Sequence, residues 1–155
     1  ISMFVILLSQ QVTPLPISHN IRTQQFELGK LKLSCKLQSN KNCADFISET
    51  VNYFKPAIFP LGEPKTTTEL IVEMASGEFP NDYMTADESY TLDLSQKISV
   101  SCKNIFGFSR ALATLVQLIK ETDFQLPYLY DSQYIVDAPK HRYRGLMLDL
   151  ARHNL

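Results

Sequence analysis

Ser89-Tyr90-Thr91-Leu92-Asp93-Leu94-Ser95-Gln96-Lys97-Ile98-Ser99-Val100-Ser101-Cys102-Lys103 holds two runs of strict alternation. Tyr90, Leu92 and Leu94 alternate with Ser89, Thr91 and Asp93, and Ile98, Val100 and Cys102 alternate with Ser99, Ser101 and Lys103. Successive side chains of a strand point to opposite faces, so each run has one apolar and one polar face. Ser95-Gln96-Lys97 is short enough to join the two as an antiparallel hairpin. A sheet with one apolar face needs a cover on that face.

Two helices are placed to supply it. Asn104 can cap a helix whose stripe is Ile105, Phe108, Leu112, Leu115, Val116 and Ile119, ending near Lys120 to Thr122. Gly107 lowers helicity there but permits close packing. Upstream, Asn42 can cap a helix that starts at Cys43 and carries Ile47, Val51, Phe54 and Ile58 on one stripe, with Pro56 and Pro60 disrupting and ending it. Leu31, Leu33, Cys35 and Leu37 alternate with Lys30, Lys32, Ser34 and Lys36 as a half-buried strand, and Leu70, Val72 and Met74 mark another. Positions 62–68 and 77–87 read as loops, and Tyr134-Ile135-Val136 as a short extended passage before Pro139. The expectation is an α+β fold: an antiparallel sheet with two helices packed on one face.

Composition narrows the partners. The chain has 155 residues, 45% hydrophobic and 20% charged, with a formal net charge of -1. That length sustains a core, and without a long basic run nucleic acid is not an expected partner. Met3 to Leu8 is too short an apolar run to span a bilayer, but it fits the apolar region of a truncated signal peptide over residues 1–16. Cys35, Cys43 and Cys102 allow at most one disulfide plus a free thiol. No Cys-x-x-Cys or Asn-x-Ser/Thr spacing occurs, so neither a metal nor a cofactor is expected and glycosylation gives no support for secretion.

The last residues change character. Leu146, Met147, Leu148 and Leu150 are nearly continuous apolar residues, the pattern of a strand covered on both faces, as in parallel sheets. The sheet type is therefore expected to change after Pro139. In a parallel barrel, Arg144 would lie at the end associated with stability, and Asp149 and Arg152 at the end where active sites form. The planar fork of an arginine can bond two adjacent sugar hydroxyls. Position alone leaves Arg152 between a sugar contact and a loop arginine paired with Asp149, and leaves His153 as a packed histidine before a metal ligand. Asp87-Glu88 reads as a solvated acidic pair, not an acid/base pair. No catalytic set can be assembled.

Arg144-Gly145-Leu146-Met147-Leu148-Asp149-Leu150-Ala151-Arg152-His153 resembles the start of the catalytic barrel in glycoside hydrolase family 20, the β-N-acetylhexosaminidases, whose pattern is close to His-Arg-Gly-Leu-hydrophobic-Leu-Asp-x-Ser/Ala-Arg-His. Glu88-Ser89-Tyr90-Thr91-Leu92 resembles the family's "ESY-x-L" strand. Phe106-Gly107 with Arg110-Ala111-Leu112-Ala113-Thr114-Leu115-Val116-Gln117-Leu118 resembles its "WG-x-x-RGLET-x-x-QL" helix. Phe106 stands where many members have Trp, and Ala111 where many have Gly. The similarity covers roughly residues 25 to 155.

The resemblance implies a non-catalytic α+β domain over residues 17–138 and the first strand of a truncated (β/α)8 barrel over residues 139–155. It implies a retaining exo-glycosidase that removes terminal non-reducing N-acetylglucosamine or N-acetylgalactosamine, with the substrate's own acetamido oxygen as nucleophile. The Asp that orients that group and the Glu that serves as acid/base belong to a later strand, so no catalytic residue is expected in this chain. Only the family's substrate-binding arginine carries over, onto Arg152. The partner implied is a glycan with a terminal N-acetylhexosamine, the setting lysosomal or secreted, and the full-length protein a homo- or heterodimer. Cys43 matches a cysteine of lysosomal members, but residues 61–88 hold no partner for it, leaving the pairing of Cys35, Cys43 and Cys102 open. A competing reading is a non-catalytic interaction domain, with no hydrolase activity of its own.

Overall fold

The computed structural model describes residues 18–20, 25–37, 43–76, 80, 82, 84–95, 97–122, 125–130 and 133–141. Its elements are β1 (Ser18–Asn20), β2 (Gln25–Glu27), β3 (Lys30–Leu37), α1 (Cys43–Ile58), β4 (Thr67–Met74) and β5 (Tyr90–Leu94), then β6 (Ile98–Cys102), α2 (Ile105–Leu118), β7 (Lys120–Thr122), β8 (Gln125–Tyr130) and β9 (Gln133–Asp137). The main sheet has six strands in the order β1-β9-β5-β6-β4-β3. The hairpin is present as read, with Tyr90 opposite Cys102 and Leu94 opposite Ile98.

The sheet is mixed, which corrects the antiparallel expectation. β3 pairs parallel with β4, and β4 parallel with β6, while β5 is antiparallel to both β6 and β9, and β1 to β9. The cause is α1. A helix between two neighbouring strands carries the chain back to the end it started from, so the second strand runs the same way as the first. Strand β6 then folds in between β4 and its hairpin partner β5.

The alternation does set the faces. Leu70, Val72 and Met74 of β4, Tyr90, Leu92 and Leu94 of β5, and Ile98, Val100 and Cys102 of β6 are all buried. Both helices cover this face: α1 packs on β3 and on α2, and α2 packs on β5 and β6. Ile47, Val51 and Ile58 of α1 and Phe108, Ala111, Leu112, Leu115 and Leu118 of α2 complete one core. The opposite face is polar, with Lys36 to Glu73 at 3.3 Å and Lys97 to Glu69 at 3.8 Å bridging neighbouring strands.

Helix ends follow local chemistry. Asn104 caps α2, its side-chain oxygen accepting from the Phe106 and Gly107 amides at 3.0 and 3.3 Å. Helix α1 begins at Cys43 as expected; Asn42, its expected cap, lies outside the described residues. Two expectations need correction. Pro56 sits inside α1, which continues to Ile58, because in the last turn proline forfeits one ladder bond without stopping the turn. Helix α2 stops at Leu118, where Ile119 turns extended, and Lys120–Thr122 forms β7 instead.

That strand belongs to a second, three-stranded antiparallel sheet, β2-β8-β7, which the sequence reading did not contain. The Leu28 amide ties it to the Pro127 carbonyl at 2.7 Å. At Gly29 the chain passes to the main sheet so closely that a Cβ would lie 2.6 Å from the backbone of Thr66 and Thr67. Among the described residues, no helix is long and apolar enough to cross a membrane.

Candidate functional site

Arg152, the site residue read from sequence, lies with Arg144, Asp149, His153 and the terminal strand outside the described residues, as do residues 1–16. The described residues reach as far as His141. Three local arrangements bear on chemistry.

The first is the segment entering β5. Asp87 accepts from Lys103 at 2.6 Å and from the Ser89 amide at 2.9 Å, and its carbonyl accepts from the Asn104 side chain at 2.8 Å. Arg110 donates to Glu88 at 2.6 Å. The acidic pair is thus fastened to the start of α2 and is not a pair of freely solvated carboxylates. The two face different cations, so they do not share a site as an acid/base pair would.

The Lys103 hydrogen bond, with those from Ser89, holds the Asp87 carboxyl well below the usual carboxylate range. A depressed carboxylate stabilises the fold above its unfolded value, near pH 4, and that contribution is lost as pH falls through the lower, folded value. Urea midpoints of the chain and of Asp87→Asn should therefore differ at pH 7 and converge below about pH 4. The gap is small, at most about 1 kcal/mol, because the pair is solvent-screened. A gap that widens on acidification would contradict this assignment.

The second arrangement is a shallow depression of about 610 Å³ on the polar face, lined by Lys36, Glu73, Ser89, Thr91, Ser101 and Lys103 among others. Its lysines are engaged by Glu73 and Asp87. It offers hydroxyls and paired charges, and its lining residues include no histidine. Among the described residues no cluster of His, Cys, Asp or Glu could hold a metal ion. Cys35 and Cys102 are free thiols, and burial pushes Cys102 up to about 12, which makes it a poor nucleophile.

The third arrangement was not read from sequence. The Tyr90 hydroxyl lies 2.5 Å from Thr114 Oγ1 on α2 and donates to Asp137 Oδ2 at 3.2 Å, at the end of β9. Asp137 Oδ1 in turn accepts the Ala138 amide at 2.8 Å. Burial pushes the Tyr90 hydroxyl up to about 12, so it stays a donor at any physiological pH. A signal existed: an inward-facing tyrosine at a strand end must find a partner for its hydroxyl.

Comparison with known proteins fits this architecture. No family model matches the chain. It is 27% identical over 162 residues to "Beta-hexosaminidase subunit A1" of Dictyostelium discoideum, across 97% of this chain and 30% of that protein. Its fold matches a Flavobacterium johnsoniae chitobiase with a TM-score of 0.67 at 24% identity, over 92% of this chain and 23% of the other. It also matches a Vibrio harveyi exo-β-N-acetylglucosaminidase solved with N-acetylglucosamine, with a TM-score of 0.65 at 23% identity, over 94% and 21%. The chain thus spans about a third or less of the length of the proteins it matches. By sequence and by fold, it resembles the N-terminal part of the glycoside hydrolase family 20 β-hexosaminidases.

Proposed function

We propose that this chain forms the leading part of a retaining exo-glycosidase that hydrolyses terminal non-reducing N-acetylhexosamine, either N-acetylglucosamine or N-acetylgalactosamine. The observation that carries the reading is the similarity to a β-hexosaminidase subunit across 97% of the chain. In this reading residues 17–138 are scaffold and residues 139–155 open the catalytic barrel. Residues 1–16 carry the apolar region of a signal peptide, and the protein works as a homo- or heterodimer in a lysosome or outside the cell.

The chemistry divides accordingly. The substrate's acetamido oxygen attacks the anomeric carbon, an Asp holds that group, and the neighbouring Glu protonates the leaving oxygen and later activates water. Those two residues come from a later barrel strand. This chain contributes Arg152, whose guanidinium donates to hydroxyls of the terminal sugar.

Two measurements test the reading. The purified 155-residue chain should release no 4-nitrophenol from its N-acetyl-β-glucosaminide, because an arginine cannot supply acid/base catalysis; the native gene product should release it. In that native protein, Arg152→Lys keeps the charge but loses the fork, and kcat/KM should fall about 30-fold. A fall under threefold would remove Arg152 from the sugar site. An inactive native protein would favour the second reading, a non-catalytic interaction domain.

A further inference from the structure

Asp137 is the last residue of β9 and the register partner of Tyr90. Its carboxylate is shared between two donors, one in the core and one just before the domain boundary read from sequence. One is the core: the hydroxyl of Tyr90, itself only 3% exposed and seated against Thr114 of α2. The other is the first amide beyond the strand, that of Ala138. Pro139 follows. A proline fixes its own φ and drives the preceding residue into extended conformations. The Ala138 N–H is thus held by a carboxylate that the core holds in turn, while Pro139 restricts Ala138 from the other side. Three constraints therefore act on one short outlet.

We propose that Tyr90 is a positioning residue: through Asp137 it fixes the point and direction at which the chain leaves the domain toward the segment that bears Arg152. The functional meaning rests on the sugar-binding reading of Arg152; the outlet itself rests only on the contacts described. Thr114 has a different part. It supports the tyrosine ring position, and the Tyr90 to Asp137 bond does not require its hydroxyl.

The division of roles gives the test. Residue-resolved amide hydrogen exchange is measured on the 155-residue chain and on Tyr90→Phe, Thr114→Val and Asp137→Asn. Tyr90→Phe should speed exchange of the Ala138 amide about tenfold beyond any change at Val100, because the carboxylate loses its anchor. Asp137→Asn keeps one oxygen for the Ala138 amide, and its amide nitrogen can donate to the Tyr90 hydroxyl, which is then free to donate to Thr114 Oγ1, so Ala138 should stay within about threefold of the parent chain. Thr114→Val lowers stability without touching the bridge, so Ala138 should change no more than Val100. If Tyr90→Phe leaves Ala138 unaffected, or Thr114→Val loosens it equally, the outlet is ordinary packing and the proposal is wrong. Arg152→Lys should leave Ala138 exchange unchanged, so the sugar reading and the outlet can fail separately.

Discussion

Phe108→Ala is expected to lower folding stability by about 3–5 kcal/mol, the range for removing a large buried aromatic ring. Phe108 is fully buried and is the largest such side chain among the described residues. It stands on α2 against β5 and β6, where the helix layer meets the hairpin. Other members of the same core, among them Leu92, Leu112 and Leu115, are fully buried too. They are fixed by a strand ladder below and a helix above, so the space left by the ring would close only in part. Equilibrium urea unfolding, followed by circular dichroism, measures the effect. A loss below about 1 kcal/mol would mean that the α2 layer packs otherwise than described.

The residue beside it gives the second large effect, with a sign that helix propensity gets wrong. Within a helix, alanine is favoured over glycine by about 1 kcal/mol. At Gly107 an added Cβ would lie 2.7 Å from the Ser89 carbonyl oxygen and 3.1 Å from the Cys102 Cβ. The carbonyl cannot retreat easily. Lys103, the Asn104 side chain and Arg110 all hold the segment 87–89 against the start of α2. Gly107→Ala should therefore destabilise by about 1–2 kcal/mol net, an overpacking cost of up to about 3 kcal/mol less the propensity gain of about 1 kcal/mol. A variant as stable as the parent, or more so, would show that the helix start can slide off the strand.

These two neighbours also show what could be read from sequence. The stripe containing Phe108 has the helical period, and the cap at Asn104 has a side chain suited to it, so the helix and its inward face were legible. The period of two at Tyr90, Leu92 and Leu94 likewise gave the buried face of β5. Strand direction was not legible by that route, because alternation is the same for parallel and antiparallel neighbours. The information lay one level up, in the order strand, helix, strand around α1, and reading the hairpin first led to the wrong sheet type. Strands β2 and β7 are three residues each, too short to display any period. Of the candidate site, the role of Arg152 came from resemblance and from the polarity of a barrel strand, not from local spacing. The bridge through Tyr90 and Asp137 joins residues 47 positions apart. No local pattern could show it.

The pairing of β1 with β9 has a consequence for biosynthesis. Ser18 finds Val136, and Asn20 finds Tyr134, so the first strand of the domain waits for the last. At ribosomal speeds of about 5–20 residues per second, that interval is on the order of 10 s. In the part of that interval between the synthesis of β5 and that of β9, β5 lacks its β9 neighbour and presents an unpaired row of amides and carbonyls. Contacts so distant along the chain also form slowly once synthesis is complete. A nascent chain of this design is most vulnerable between the emergence of β5 and that of β9, and that is where a holding chaperone would be of most use.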